Sequence, residues 1–233
     1  MVFLLQQMML YAVPLMIVAL AGVCAERSGV INLALEGIMI FGAFMGVVFV
    51  RMFQDGGWQK SQGQIIMILS LILSGICGIL FSMLLAFSAI NLKADQTIGG
   101  TALNMLAPAI VMFFIYMIVQ QNTMGMSQGG AAGWFMIKPQ TFGYPKGYSF
   151  GPIGDFFLNK VYLTSYICIL IFVLVSVFLY KTKTGMRLRS CGENPQAADS
   201  LGINVYKMRY LGVGLSGFLA GVGGFTLDRK SVV

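Results

Sequence analysis

The sequence predicts an all-α polytopic membrane protein with six transmembrane helices and one short cytoplasmic helix. Of its 233 residues, 58% are hydrophobic and only 10% are charged, whereas a soluble domain carries about 25% charged residues. The mean hydropathy is +0.82. The apolar residues also form continuous runs long enough to cross a hydrocarbon core of about 30 Å at 1.5 Å per residue. These observations exclude a soluble globular protein.

The first predicted span is Met8–Cys24. Residues 1–20 contain no lysine or arginine, so the segment lacks the positive region that a secretory signal needs, and we expect a retained helix. Pro14 removes the hydrogen bond to the Leu10 carbonyl. Because no polar side chain accompanies this kink, we interpret it as structural.

The second predicted span, Val30–Val50, carries two polar side chains. Asn32 and Glu36 are four residues apart and would share one face of a continuous helix. Amide and ionisable side chains inside a span usually face a bundle interior or a water-filled path, so both are candidate path residues. Further along, Gly42 and Gly46 form a G-x-x-x-G pair, which is typical of close helix packing.

The third predicted span is Gln64–Ile90, and the fourth, Thr97–Val119, contains Asn104 and Pro108. Proline removes the hydrogen bond to the carbonyl of Asn104, so a free carbonyl and an amide side chain would lie at one depth. Discontinuous helices of this kind build substrate sites in transporters. The alternative is a kink satisfied by neighbouring helices, with Asn104 as an interhelical contact.

The fifth predicted span is Val161–Tyr180, and the sixth, Met208–Leu227, repeats the close-packing spacing at Gly217 and Gly221. The connection between these spans is the most basic part of the chain. Pro195 follows Asn194, a potential N-cap, and the helix formers after it stop at Gly202. This pattern predicts a short helix, which either transmits force to a soluble partner or lies at the membrane interface.

The basic residues also predict the orientation of the spans. Lysine and arginine in short loops stay on the cytoplasmic side, so the connection after Tyr180 is placed inside. Alternation then puts Ala25–Gly29 and Asn91–Gln96 inside, and Arg51–Gly63, Gln120–Lys160 and the N-terminus outside. The long outer loop is rich in glycine and aromatic residues, which indicates either an interfacial girdle or a docking surface for an external partner.

The composition limits the chemistry of the chain. The absence of histidine removes histidine general-base catalysis. The four cysteines, which are Cys24, Cys77, Cys168 and Cys191, lack metal-ligand spacing. Three of them lie in or at the edge of apolar runs, where we expect small buried hydrophobes. The net charge of +7 lies in short stretches between apolar runs, a pattern that encodes membrane topology rather than nucleic-acid binding.

Several motifs in collinear order resemble one family of transport proteins. Thr184–Val205, which contains CGENPQAADSLGINV, and Leu215–Gly224 resemble the cytoplasmic loop and following helix of the branched-chain amino acid/ribose-type permeases of ABC importers. Glu26–Gly37 and Leu92–Pro108 resemble the nucleoside/simple-sugar branch of that family. The resemblance extends from near Met8 to Phe225.

The resemblance implies a transport subunit and not an enzyme. Such permeases pair with a second homologous permease, a cytoplasmic ATPase and an extracytoplasmic substrate-binding lipoprotein in the bacterial cell membrane, and they import solute by alternating access. It assigns ATPase coupling to Gly192, Glu193, Asn194, Ala197, Ala198, Gly202 and Ile203. No G-x-x-x-x-G-K-[ST] motif occurs in the sequence, so we expect ATP and Mg²⁺ on the partner and no cofactor on this chain.

The function expected on this basis is import of a guanosine-like nucleoside, and the nearest alternative is a simple sugar of the ribose or galactose type. A stand-alone secondary transporter or channel would need a charged relay across several spans, whereas the sequence offers only Glu36, with Glu26 and Asp95 near the edge. A non-transporting anchor would lack polar groups at depth. We expect Asn32, Glu36, Asn104 and Pro108 to line the path, since amides and carboxylates bind hydroxyls and ring edges.

The resemblance also implies further spans after the sixth. We therefore expect residues 1–227 to be a single permease domain that is incomplete at its C-terminus, and residues 228–233 to be a non-native tail. Read as codons, Asp228–Val233 matches GAT CGG AAG AGC GTC GTG, the start of a widely used sequencing-library adapter. Sequencing the locus past Leu227 tests this hypothesis.

Overall fold

The structure is a computed structural model that describes residues 2–56, 63–120 and 163–227, together with four two-residue strands. The described residues form eight helices: α1 Val2–Glu26, α2 Leu35–Asp55, α3 Gly63–Ile90, α4 Gln96–Val119, α5 Leu163–Lys181, α6 Lys183–Glu193, α7 Pro195–Ser200 and α8 Val205–Leu227. The strands form two antiparallel pairs: β1 Met124–Gly125 with β4 Ser231–Val232, and β2 Met136–Ile137 with β3 Val161–Tyr162.

Six of the described helices, α1 to α5 and α8, are long and apolar enough to cross a membrane. Each corresponds to one of the predicted spans. The fold class predicted from the apolar runs, an all-α polytopic membrane protein, is confirmed.

The last long helix, α8, lies at the centre of the bundle. It packs against α1, α2 and α3, while α4 packs mainly on α2, and α5 on α1. The most apolar stretch of α8 is 72% buried, compared with 17% for that of α4. Most of the α4 surface is therefore left for lipid or for other helices.

Glycines bring the central helices into direct backbone contact, as the G-x-x-x-G spacing predicted. A Cβ added to Gly42 would lie 2.6 Å from the Cα of Gly221, and one added to Gly78 would overlap the carbonyl of Gly217. The Ser74 hydroxyl lies 2.8 Å from the carbonyl oxygen of Gly42 and 2.7 Å from that of Gly221. Helices α2, α3 and α8 thus meet at one buried hydroxyl group, whose single hydrogen is shared between backbone carbonyls on both neighbouring helices.

The three segments predicted to be cytoplasmic lie together at one end of the bundle. Gly29 packs against Gly192, and the Tyr210 hydroxyl donates to the side chain of Asn91 over 2.8 Å. A cavity of about 340 Å³ is lined by both Lys93 and Pro195. This clustering agrees with the predicted alternation of the spans, and the side of the membrane that these segments face stays a prediction.

The prediction that the second span is helical from Val30 is wrong. Residues 30–34 are not helical, and α2 begins at Leu35. Asn32 and Glu36 consequently do not share a helix face: Asn32 is 5% exposed, whereas Glu36 is exposed. An apolar run cannot by itself distinguish a membrane helix from a non-helical segment, because both can consist of apolar side chains.

The fourth span is not the discontinuous one. Helix α4 continues from Gln96 through Pro108 to Val119, so the interruption that the proline suggested lies in the second span instead. The described end of α2 also extends past the predicted Val50 to Asp55, whose carboxylate lies 3.7 Å from the Nε of Arg51.

Some predictions fall on residues that the structure does not describe. The aromatic residues of the long outer loop lie outside the described residues, as do residues 228–230 and 233 of the expected tail; the aromatic residues are Trp134, Phe142, Tyr144, Tyr148 and Phe150. The interpretation of the outer loop and the domain boundary at residue 227 therefore stay predictions.

Candidate functional site

The interruption of the second span begins with a tight turn after α1. The backbone N–H of Ser28 donates to the carbonyl of Ala25 over 2.9 Å, and that of Gly29 donates to Glu26 over 3.0 Å. Gly29 has φ +84°, a left-handed conformation that glycine adopts without steric cost. The turn sends the chain back towards the bundle along residues 30–34. We call these five residues the break.

The break runs alongside α4. Gln96, the first residue of α4, accepts a hydrogen bond from the N–H of Ile31 over 2.8 Å. Asn104 donates to the carbonyl of Leu33 over 2.7 Å, and it lies about 12 Å further along α4 at 1.5 Å per residue. Non-helical backbone at membrane depth is tolerated only where it is buried in protein or lines a cavity. The amide side chains of α4 supply hydrogen-bond partners that a helix would otherwise provide.

Asn104 also caps α2 from outside that helix. The N-cap position of α2 is Ala34, which has no side chain able to accept a hydrogen bond. The Oδ1 atom of Asn104 accepts from the N–H of Gly37 over 2.8 Å, which is the third helical N–H, the one that an N-cap side chain normally satisfies. A Cβ on Gly37 would lie only 2.9 Å from the Leu103 carbonyl oxygen. The absence of a side chain at Gly37 is therefore what allows α4 to approach closely enough to cap α2.

Asn32 ties the break to the central helix. Its Oδ1 accepts from the N–H of Ala34 over 3.1 Å, and its Nδ2 donates to the hydroxyl of Ser216 on α8 over 2.9 Å. Both side chains are buried, with 5% and 0% of their surfaces exposed. The break is thus held between α4 on one side and α8 on the other.

The four predicted path residues occupy different environments. Asn32 belongs to the break and Asn104 binds it, while Pro108 is half-buried one turn further along α4 and Glu36 is exposed in the first turn of α2. An amide has two donor hydrogens and two acceptor lone pairs, so each asparagine keeps part of its hydrogen-bonding capacity for another group. A carboxylate in the first turn is favoured by the helix dipole. Whether these residues contact a solute stays a prediction.

The short helix predicted after Asn194 is confirmed as α7, with the local signals that the sequence indicated, while its cytoplasmic side stays a prediction. The side chain of Asn194 accepts from the N–H of Ala197 over 3.1 Å, and Pro195 occupies the first helical position. Gly202 has φ +77°, and its N–H donates to the Asp199 carbonyl over 2.9 Å. We refer to residues 192–203 as the coupling segment.

The coupling segment presents some of its predicted residues to solvent and packs others inward. Glu193, Asn194, Ala197 and Gly202 are exposed, Gly192 and Ile203 are half-buried, and Ala198 is 2% exposed. Sequence reasoning missed two large side chains beside them: Leu201 is 79% exposed and Tyr206 is 63% exposed. The sequence could have identified both residues, because they are large apolar or aromatic side chains in an otherwise polar connection between two spans.

Charged groups surround the junction between α1 and α6. A cavity of about 300 Å³ there is lined by two acidic and two basic side chains, together with Val23 and Gly192. The charged residues are Glu26, Glu193, Arg27 and Arg189. The guanidinium carbon of Arg189 lies 5.1 Å from the centroid of the Tyr180 ring, a cation–π contact. Burial raises the pKa of the neighbouring Cys191 thiol, and the positive charge of Arg209 opposes that shift.

The structure offers no assembled metal site in the part of the chain that it describes, where no three histidine, cysteine, aspartate or glutamate side chains are grouped. Three of the cysteines are buried and Cys77 is half-buried. The candidate site is therefore built from amides, hydroxyls and backbone groups.

The helices, the break and the coupling segment together define a multi-pass membrane protein with a short capped helix before its last described span. The family model described as branched-chain amino acid transport system / permease component matches residues 4–228. The chain belongs to this permease family, whose members are multi-pass proteins of the cell membrane. No solved structure matches the chain.

Three curated relatives illustrate the similarity. The nucleoside ABC transporter permease protein NupC of Lactococcus lactis is 40% identical over 93% of this chain and 64% of its own length. The guanosine ABC transporter permease protein NupQ of Bacillus subtilis is 42% identical over 93% of this chain and 64% of its own length. The putative glucose ABC transporter permease protein TsgC13 of Haloferax volcanii is 30% identical over 93% of this chain and 60% of its own length. The chain thus spans less than two thirds of the length of these relatives.

Proposed function

We propose that the chain belongs to the permease subunit of an ABC importer that carries a guanosine-like nucleoside across the cell membrane. The observation that carries this proposal is the identity of 40% and 42%, over 93% of the chain, to permeases named for nucleoside and guanosine transport. The family match over residues 4–228 includes both the break and the coupling segment.

The proposal includes three partners: a cytoplasmic ATPase, a second homologous permease and an extracytoplasmic substrate-binding lipoprotein. The coupling segment supports the first of them, because Glu193, Asn194 and Leu201 are exposed at the two ends of a short capped helix. Exposed large apolar side chains rimmed by polar ones are typical of a docking surface. ATP hydrolysis is assigned to that partner, since the sequence contains no phosphate-binding loop.

The proposed solute path passes the break. Asn32 lies in the break, Glu36 lies in the first turn of α2, and Asn104 and Pro108 lie in the middle of α4, where Asn104 contacts the break. A nucleoside presents ribose hydroxyls and base edges, which hydrogen-bond to carboxylates and to the unused capacity of amides. Glu36 supports the proposal best, because its carboxylate is exposed.

Uptake by whole cells tests the nucleoside assignment. Cells carrying the full-length gene and its partner genes are expected to accumulate radiolabelled guanosine, and an ATPase partner with an inactivated phosphate-binding lysine is expected to abolish uptake. A matched strain in which only the binding lipoprotein is deleted is the control for non-specific entry. Uptake that survives inactivation of the ATPase would eliminate the proposal and favour a secondary transporter.

A simple sugar is the second candidate solute, and the similarity to the putative glucose permease favours it. Sugar and ribose hydroxyls make the same kinds of hydrogen bond, so the break does not distinguish them. Competition on the cognate binding protein does: guanosine displacing a bound nucleoside, with ribose, galactose and glucose inert, supports nucleoside import. Displacement by a sugar alone would favour the second candidate.

A further inference from the structure

The turn at residues 27–29 contacts the coupling segment and leads directly into the break, although these two segments are far apart in the sequence. We call these three residues the elbow. A Cβ on Gly29 would lie 3.2 Å from the Cα of Gly192, and a Cβ on Gly192 would overlap the carbonyl group of Arg27. The elbow and the first residue of the coupling segment are therefore in backbone-to-backbone contact, with no flexible side chain between them.

The central helix supports the elbow from another direction. A Cβ on Gly212 of α8 would overlap the side chain of Ser28, and Ser28 is 0% exposed. Its hydroxyl donates to the carbonyl of Ala25 over 2.6 Å. The elbow is thus confined between the end of α6 and the start of α8, which are the two helices that flank the coupling segment in the chain.

A displacement of the elbow would reach the start of α2 through the short break. The break joins the elbow to Leu35 through only five residues, the last two of which form a turn, and each residue can span at most about 3.3–3.6 Å. Along this route, hydrogen bonds fasten the break to α4 through Gln96 and Asn104 and to α8 through Asn32. Close-packed interiors transmit strain rather than absorb it.

We infer that the elbow, seated on Gly192, is the contact through which the coupling segment moves the break and the start of α2. This inference rests on the proposed function, because it assumes that an ATPase partner displaces the coupling segment. It separates two roles within that segment. The exposed residues contact the ATPase, whereas the half-buried Gly192 is a positioning residue that acts on the membrane side.

The test uses the complete importer, with the full-length permease, reconstituted in proteoliposomes with ATP and radiolabelled guanosine. Gly192→Ala places a methyl group against the Arg27 carbonyl, so we expect guanosine transported per ATP hydrolysed to decrease about tenfold while ATP hydrolysis changes less than twofold. Gly22→Ala is the matched control, since the nearest atom to its added Cβ is a Leu35 side-chain carbon at 3.5 Å, an ordinary contact. An unchanged ratio for Gly192→Ala, or equal losses of transport and hydrolysis, would overturn the inference.

A second pair of substitutions, in which one change relieves the clash made by the other, tests the inference if the Gly192→Ala permease does not assemble into the importer. Gly212→Ala alone is expected to lower the ratio, because its methyl group meets the Ser28 side chain, and the double variant Gly212→Ala, Ser28→Gly is expected to restore it. A double variant no better than Gly212→Ala contradicts the inference. The wild-type importer separates the two proposals: if it hydrolyses ATP and carries a sugar but no guanosine, the nucleoside assignment fails and the same ratio is measured with that sugar.

Discussion

Asn104 shows how a single polar side chain stabilises an interrupted membrane segment. It serves two backbone groups, the carbonyl of Leu33 and the N–H of Gly37, neither of which has a helical partner at that point. The sequence singled out Asn104 as a polar group at depth. Its partners could not be predicted, because they lie on another helix and are reached only through the close approach at Gly37.

The first residue-scale prediction concerns this cap. Asn104→Ala leaves the Leu33 carbonyl and the Gly37 N–H unpaired, and a polar side-chain hydrogen bond in a membrane contributes about 0.6 kcal/mol on average and up to about 1.7. We expect a loss of about 1–3 kcal/mol in unfolding free energy, measured by thermal or denaturant unfolding in detergent. Thr101→Val on the same helix is the control, because the Thr101 hydroxyl bonds only carbonyls of its own helix. Equal stability of the two variants would contradict the capping role.

The second residue-scale prediction asks whether Glu36 acts in solute transport rather than in the stability of the fold. Glu36 is exposed, so Glu36→Gln is expected to leave stability within about 0.5 kcal/mol of the wild type. The same change removes the charge that would accept hydrogen bonds from solute hydroxyls. We expect a several-fold rise in the concentration of guanosine that gives half-maximal transport. Unchanged transport kinetics in an assembled complex would remove Glu36 from the proposed path.

At the scale of elements, the existence of the six long helices followed from the apolar runs, whereas the start of α2 did not. Residues 30–34 are as apolar as a helix needs, apart from Asn32. The left-handed Gly29 precedes this segment, and its backbone forms hydrogen bonds with the side chains of Gln96 and Asn104, which are distant in sequence. By contrast, α7 was predictable because its cap, its proline and its terminating glycine are all local.

The junction of α2, α3 and α8 carries a prediction about helix packing. Gly42→Ala places a Cβ 2.6 Å from the Cα of Gly221, so the two helices must separate, and overpacking typically costs about 1–3 kcal/mol. Gly99→Ala is the control, because the nearest atom to its added Cβ is a Leu85 side-chain carbon at 3.4 Å. Thermal unfolding in detergent should show a lower midpoint for Gly42→Ala than for Gly99→Ala. Identical midpoints would show that the glycine contact is dispensable.

The start of α4 should respond to pH. The carboxylate of Asp95 accepts from the N–H of Thr97 over 2.7 Å as the N-cap of α4, and these hydrogen bonds hold its pKa below the usual 3.8. A carboxyl whose pKa is lower in the folded state stabilises the fold above its unfolded pKa, and that contribution is lost as the pH decreases through the folded value. Exchange of the Thr97 backbone N–H should therefore become faster, relative to its intrinsic rate, as the pH is lowered from about 5 to about 3.

The matched variant for this pH dependence is Asp95→Asn, since asparagine also caps helices but does not titrate. We expect the protection of Thr97 to be independent of pH in that variant. A pH dependence that persists in Asp95→Asn would assign the effect to another group.

At the scale of the whole molecule, the arrangement around α8 explains how the described parts act together. The helix is in contact with α1, α2 and α3, bonds the break through Ser216 and carries the coupling segment at its N-terminal end. The glycine spacing predicted that α8 packs closely, but not that it lies at the centre. The elbow contact between Gly29 and Gly192 was likewise beyond prediction, because it depends on the packing of α1 against the end of α6.

The most direct test of the central claim, that this permease works in an ATP-driven nucleoside importer, is guanosine accumulation in proteoliposomes that contain the complete complex. We expect accumulation to require hydrolysable ATP, to stop with a non-hydrolysable analogue and to continue when an ionophore collapses the proton gradient. Accumulation that continues without ATP and is abolished by the ionophore would contradict this claim.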